Sequence, residues 1–153
     1  MLLHAVGQGA IGIECREDDT RVLELLQTLD HYPTRVRVTA ERSFMKVLEG
    51  GCSVPLGIHS EWTKTVEDDN ESLLLKGSVT SLDGSIQLED TVATSFSASL
   101  PRAEKVVLAE LLGKDLAELM VSHGARDILL AIRAEQQAQM PGAFDATVGN
   151  AAS

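Results

Sequence analysis

Cys52 follows Gly50-Gly51 and precedes Ser53-Val54-Pro55. A thiol placed after two glycines and before a proline-fixed loop has little steric cover, so a bulky electrophile can reach its sulfur. Nucleophilic chemistry also needs some thiolate, which nearby cationic groups favour. The segment before the glycines reads as a helix, and the partial negative charge of a helix C-terminus opposes thiolate formation. Spacing alone therefore leaves both a chemical role and an ordinary loop cysteine open. Cys15 closes the apolar stretch Ile11–Cys15 and reads as a core cysteine.

The other candidate chemistry is weaker. Gly7-Gln8-Gly9-Ala10-Ile11-Gly12 matches G-x-G-x-x-G literally, but a dinucleotide site needs a strand before the glycines and a helix starting at them. Only six residues precede Gly7 and an apolar, β-like stretch follows, so these glycines are expected to permit a tight backbone crossing. His4, His31, His59 and His123 show no metal-ligand spacing with each other or with the cysteines, so no metal site is expected. Glu67-Asp68-Asp69-Asn70-Glu71 lacks the glycine and terminal glutamate of a calcium loop and reads as a solvated turn. His59-Ser60 finds no defined aspartate with which to form a triad.

The chain available to position these groups has 153 residues, 44 % of them hydrophobic but only 3 % aromatic, which suits one aliphatic core. No apolar run approaches the ~20 residues of a membrane span, and Met1-Leu2-Leu3-His4 shows no basic region followed by an apolar stretch, so no secretory signal is expected. With two cysteines in unrelated contexts there is no disulfide framework, and the cytoplasm is the default compartment. A net charge of −10 argues against nucleic acid and anionic membrane as partners, since both require a cationic surface.

Along the chain, Ala10–Ile13 reads as a short strand. Asp18, Asp19 and Thr20 offer capping oxygens to a helix whose Val22, Leu25, Leu26 and Leu29 form one apolar stripe. His31-Tyr32-Pro33 breaks that helix. A second helix is predicted from near Thr34 to about Glu49, with Val36, Ala40, Phe44, Val47 and Leu48 inward and Gly50-Gly51 stopping it. Three strands follow: Leu56–Thr63, Ser72–Thr80 and Ile86–Phe96, the last two joined by an Asp83-Gly84 hairpin signal. Residues 103–122 return to helix, with an interruption expected at Gly113. Gly124 caps it, and Ala125–Gln137 forms a final helix. The expected fold class is α+β: a small three-stranded antiparallel sheet covered on one face by helices, preceded by a strand-helix remnant.

Two segments together carry a resemblance. Ala5-Val6-Gly7-Gln8-Gly9-Ala10-Ile11-Gly12-Ile13-Glu14 is similar to the AVGQGALGIE segment of hydroxymethylbilane synthases (porphobilinogen deaminases). Thr39–Phe44 and Leu48-Glu49-Gly50-Gly51-Cys52-Ser53-Val54-Pro55-Leu56-Gly57 resemble that family's AER helix and LEGGC-x-VP cofactor loop. Leu82-Asp83-Gly84 and Ser122–Leu129 add weaker matches in the same order.

The resemblance implies a three-domain transferase of porphyrin and heme biosynthesis, whose first two domains enclose the active cleft. Residues 1–9 then look like a hinge crossing and 10–29 like a remnant of the first, periplasmic-binding-protein-like domain. Residues 32–138 look like the whole C-terminal, cofactor-anchoring domain and 139–153 like a flexible tail. The implied cofactor is a dipyrromethane joined to Cys52 by a thioether, with Gln8 and Gly9 beside it as cofactor-binding residues. The implied reaction adds four porphobilinogens to that cofactor with loss of ammonia, then releases hydroxymethylbilane with water. The family's catalytic aspartate and most of its basic cleft match nothing in this chain, so no catalytic residue is expected here. Met1 falls at an internal position of the longer pattern, which implies a fragment or a misassigned start. The full-length enzyme is expected to be a monomer. The chain alone reads as inactive, a folded fragment or interaction module that self-associates through residues 10–29. Leaving Ile11, Ile13, Val22, Leu25, Leu26 and Leu29 wet would be costly at roughly 1.5–3 kcal/mol each. Residues 1–30 are accordingly expected to dock on another chain, to repack or to be disordered.

Overall fold

The computed structural model describes residues 3–48, 55–64 and 71–139. Seven elements run in the order α1 (Thr20–Gln27), α2 (Tyr32–Val47), β1 (Leu56–Lys64), β2 (Glu71–Thr80), β3 (Gln87–Phe96), α3 (Arg102–Ser122) and α4 (Ala125–Gln139). The three strands form one antiparallel sheet in the order β1-β2-β3, which bears out the α+β expectation.

Alternation in the strands decides which face is covered. Ile58, Leu73, Leu75, Val79 and Phe96 are buried, and the register sets Ile58 opposite Gly77, Ser60 opposite Leu75, and Leu75 opposite Val92. Gln87, Glu89, Thr91, Ala93 and Ser95 lie exposed on the other face, where Lys76 pairs with Glu89 at 2.7 Å. Helices α2 and α3 cover the apolar face through Val36, Ala40, Phe44, Ala109, Leu112, Leu116 and Met120. Gly77 is required beneath them: a Cβ there would stand 2.7 Å from Phe44 Cζ and 3.0 Å from Met120 Sδ.

α3 is continuous, and the interruption expected at Gly113 does not occur. The glycine instead lets α3 cross α2 at backbone contact. A Cβ on it would collide with the Ala40 carbonyl oxygen and approach Ser43 Cβ to 2.8 Å and the Phe44 nitrogen to 2.9 Å. The Ser43 hydroxyl donates to the Glu110 carbonyl at 2.7 Å and ties the same crossing.

α1 forms where its capping signal falls, with Asp19 accepting the Val22 N–H at 3.1 Å, and α2 begins at Tyr32 with Pro33 in its first turn. Residues 10–16 pair with no strand, so the expected strand Ala10–Ile13 is absent. Nor does the region repack or lose its structure. α1 is a formed helix with no buried residue, and Ile11, Ile13, Leu25 and Leu29 are exposed, Ile11 at 90 %. Cys15 shares that exposure and is no core residue, because a stretch without a pairing partner has no sheet to bury it. Of the expected acidic turn, residues 67–70 lie outside the described residues, and Glu71 opens β2. Residues 140–153 of the expected tail also lie outside them.

Candidate functional site

The chain approaches the sheet along the free edge of β1. His4 and Ile58 exchange backbone hydrogen bonds, His4 N–H to Ile58 O at 3.1 Å and Ile58 N–H to His4 O at 2.7 Å. It then turns sharply: Ala10 N–H donates to Gly7 O at 3.0 Å, and Gly7 and Gly9 take φ of 65° and 82°. Left-handed backbone at both positions is what glycine permits and other residues resist.

This turn is held by a carboxylate. Glu41, in the middle of α2 and only 9 % exposed, accepts the Gly7 N–H on Oε2 at 3.0 Å. Its Oε1 accepts the Ser60 hydroxyl at 2.5 Å. Ser60 stands on the covered face of β1 and is itself buried. Arg37, one helical turn before Glu41, donates from Nε to Ser60 Oγ at 2.9 Å and from Nη2 to the Ser60 carbonyl at 2.6 Å. Helix, strand and incoming turn are thus joined by one polar network in which Arg37 and Glu41 meet through Ser60.

Gln8 and Gly9 are the exposed residues of the held turn. They border a cavity of about 190 Å³, with Thr34, Arg37, Val38 and Glu41 on the α2 side. The Gln8 backbone N–H donates to Ala5 O at 3.2 Å, whereas among the described residues neither the Gln8 side-chain amide nor the Gly9 N–H has a hydrogen-bond partner. The rim therefore offers neutral donors and one guanidinium, a set suited to acceptor oxygens such as carboxylates.

Cys52 lies outside the described residues. The structure fixes both ends of its loop. α2 stops at Leu48, whose N–H donates to Phe44 O at 3.2 Å, and the loop rejoins the sheet at Pro55, whose carbonyl accepts the Thr80 N–H at 3.3 Å. The cysteine loop thus leaves the C-terminus of the helix whose middle holds the Gly7–Gly9 turn.

The histidines are engaged separately. His31 Nδ1 meets Thr34 Oγ1 at 2.8 Å, His59 stands 3.6 Å from Glu61, and His123 Nδ1 lies 2.9 Å from Asp90. Among the described residues no three His, Cys, Asp or Glu side chains gather as metal ligands, and no helix is long and apolar enough to cross a membrane. Sequence reasoning met Ser60 only in a rejected triad and Glu41 only as part of the Thr39–Phe44 motif, and gave Arg37 no role. A signal for Glu41 existed, since a charged residue between Ala40 and Phe44 interrupts the buried side of α2.

Comparison with known proteins adds an independent finding. The family model described as porphobilinogen deaminase, C-terminal domain, matches residues 35–122. A porphobilinogen deaminase of Synechococcus sp. (strain RCC307) is 45% identical over 133 residues, covering 87% of this chain and 37% of the relative. One of Nostoc sp. is 44% identical over 135 residues, covering 88% and 37%. One of Synechococcus elongatus is 46% identical over 127 residues, covering 83% and 35%. The chain therefore spans little more than a third of the length of these relatives.

Proposed function

The chain belongs to the porphobilinogen deaminase family, through that family's C-terminal domain, and from that premise we propose that it is the cofactor-anchoring part of a hydroxymethylbilane synthase. In this reading Cys52 carries a dipyrromethane through a thioether, and porphobilinogen is the substrate. The held turn at Gly7–Gly9 carries the proposal: it presents the Gln8 side-chain amide and the Gly9 N–H, both without a partner among the described residues, beside Arg37 of α2, the helix that precedes Cys52 in the chain.

When bound, the dipyrromethane supplies the nucleophilic pyrrole carbon to which porphobilinogen units are added. The chain's own contribution is to anchor and orient. Cys52 Sγ provides one end of a C–S bond stable enough to survive repeated turnover. Gln8 and the Gly9 N–H donate to acceptor oxygens, and Arg37, already fixed by Ser60, adds positive charge at a set position. Glu41 touches no ligand in this scheme; it holds Gly7 and so aims the two residues after it.

Proton transfer and the rest of the cationic wall fall to the part of the longer relatives that this chain does not match. A net charge of −10 fits that division, because this chain alone offers polycarboxylates few cations. Residues 1–9 act as the crossing between parts, 10–29 belong to the first domain, and 32–138 form the anchoring domain. The full-length enzyme works as a cytoplasmic monomer. The chain alone forms no hydroxymethylbilane and self-associates through the apolar surface of residues 10–29.

The test is co-production with the N-terminal two-thirds of a cyanobacterial relative, followed by intact mass measurement and an Ehrlich colour reaction. A dipyrromethane adduct that disappears in Cys52→Ser is expected. An unmodified Cys52 in a complex that forms would end the proposal, and hydroxymethylbilane made by the chain alone would end the division of labour.

A further inference from the structure

A larger cavity, of about 500 Å³, lies away from the Gly7–Gly9 turn, between the start of α2, the far end of β1 and the first turn of α3. Its lining combines Tyr32, Trp62, Leu100, Arg102, Lys105 and Glu71. The walls are planar: the Trp62 indole packs on Phe96 with centroids 5.5 Å apart and donates from Nε1 to the Pro33 carbonyl at 3.3 Å. The Tyr32 ring lies under the Arg102 guanidinium at 4.9 Å.

Three polar groups in this lining are incompletely used. The Tyr32 hydroxyl is buried and has no hydrogen-bond partner among the described residues. Lys105 is only 7 % exposed, yet among the described residues its ammonium meets a single carboxylate, Glu71, at 3.7 Å. That is beyond the ~2.7–2.9 Å of a charge-assisted hydrogen bond, so its three donors are not saturated. Arg102 stacks on Tyr32 but has no carboxylate or carbonyl partner among the described residues. A buried polar group left without a partner costs about 1–3 kcal/mol, so the buried Tyr32 hydroxyl and the loosely paired, buried Lys105 ammonium, with the exposed Arg102 guanidinium beside them, leave donors in reserve for a ligand.

We propose that this cavity binds a small planar carboxylate, with its ring between Tyr32 and Trp62 and its carboxylate taken by Arg102 and Lys105. The charges select the class. Arg102 and Lys105 against Glu71 leave one net positive charge, which disfavours cationic ligands. A neutral aromatic would leave the ammonium as unsatisfied as before, and a small inorganic anion would leave both rings uncovered. The volume falls within the ~300–1,000 Å³ of small-molecule pockets. Burial also holds the Tyr32 phenol above its ordinary pKa, with Glu71 adding to the effect and Arg102 and Arg35 opposing it. The hydroxyl therefore stays protonated and able to donate. This inference does not depend on the proposed synthase role.

Trp62 is the chain's one tryptophan, so its fluorescence reports on this cavity alone. The whole chain is titrated with sodium benzoate at constant ionic strength, with benzamide and sodium phosphate as comparisons. A saturable change with benzoate is expected, with benzamide and phosphate each weaker by about tenfold or more, roughly the loss of one charge-assisted hydrogen bond. Arg102→Gln, at an exposed position, and Lys105→Met, which keeps the buried stem, should each weaken benzoate by about tenfold. An unsaturable response, equal responses to benzoate and benzamide, or undiminished binding by Arg102→Gln would overturn the proposal.

Discussion

Glu41 holds Gly7 across 34 residues of sequence: its Oε2 accepts the Gly7 N–H at 3.0 Å while Oε1 accepts the Ser60 hydroxyl. The carboxylate is thus the joint between the incoming chain and the α/β core. Glu41→Ala would leave the buried Ser60 hydroxyl and the Gly7 N–H without an acceptor, and should cost about 2–3 kcal/mol. Glu41→Gln keeps one acceptor oxygen and should cost about 1 kcal/mol. Urea unfolding measures both, and exchange of the Gly7 amide proton should speed up in each. Unchanged exchange at Gly7 would mean that the turn holds itself.

Gly113→Ala sets two effects against each other. Alanine favours a helix interior over glycine by about 1 kcal/mol. Against that, the new methyl would meet backbone atoms of Ala40 and Phe44, which cannot swing away as a flexible side chain could. Overpacking of this kind costs about 1–3 kcal/mol, occasionally more. The packing effect should win, giving a net loss of about 1–2 kcal/mol in denaturant unfolding. A more stable Gly113→Ala would show that the helices separate at little cost.

The same glycine shows where sequence reading reaches its limit. Local pattern located all three strands, because alternation and the Asp83-Gly84 turn are short-range signals. It placed α1 and α2 within a few residues for the same reason. It broke α3 at Gly113 because a glycine that ends a helix and one that admits a neighbouring backbone look alike without the neighbour. It also expected a strand at Ala10–Ile13 and a buried Cys15, since β-like texture does not reveal whether a partner strand exists. The Gly7–Glu41–Ser60 network and the Tyr32–Trp62 cavity join residues far apart in sequence, and no periodicity encodes either. The role proposed for Cys52 rests on its flanking motifs alone.

The Asp83 turn should make stability depend on acid. Asp83 Oδ1 accepts the Ser81 hydroxyl at 2.6 Å, the Ser85 hydroxyl at 2.9 Å and the Ser85 N–H at 3.1 Å. These bonds, Ser81 foremost, hold its pKa at about 2 rather than 3.8. A folded value below the unfolded one means that the ionised carboxylate stabilises the fold above pH 3.8, and that the contribution is lost as pH falls through about 2. The difference in melting temperature between the parent chain and Asp83→Asn should therefore shrink over that window, while other carboxylates cancel in the comparison. A constant difference would show that Asp83 contributes no more charged than neutral.

The last prediction concerns the apolar surface of α1. Eight residues are too few for a stable isolated helix, which needs about 12–15 in water, and α1 buries none of its side chains in this chain. Leu25, in α1, and Leu29, just beyond its end, are 61 % and 70 % exposed, so replacing both with glutamate removes no core contact and keeps a strong helix former at position 25. Stability of the α/β core in Leu25→Glu/Leu29→Glu should stay within about 0.5 kcal/mol of the parent. Association should change instead: sedimentation velocity should show concentration-dependent self-association of the parent chain and a monomer for the variant. In the complex with the N-terminal part of a relative, the same pair should weaken binding, because two apolar contacts worth roughly 1.5–3 kcal/mol each become charged. A parent chain that stays monomeric, together with a variant that binds the N-terminal part undiminished, would show that this surface has no partner.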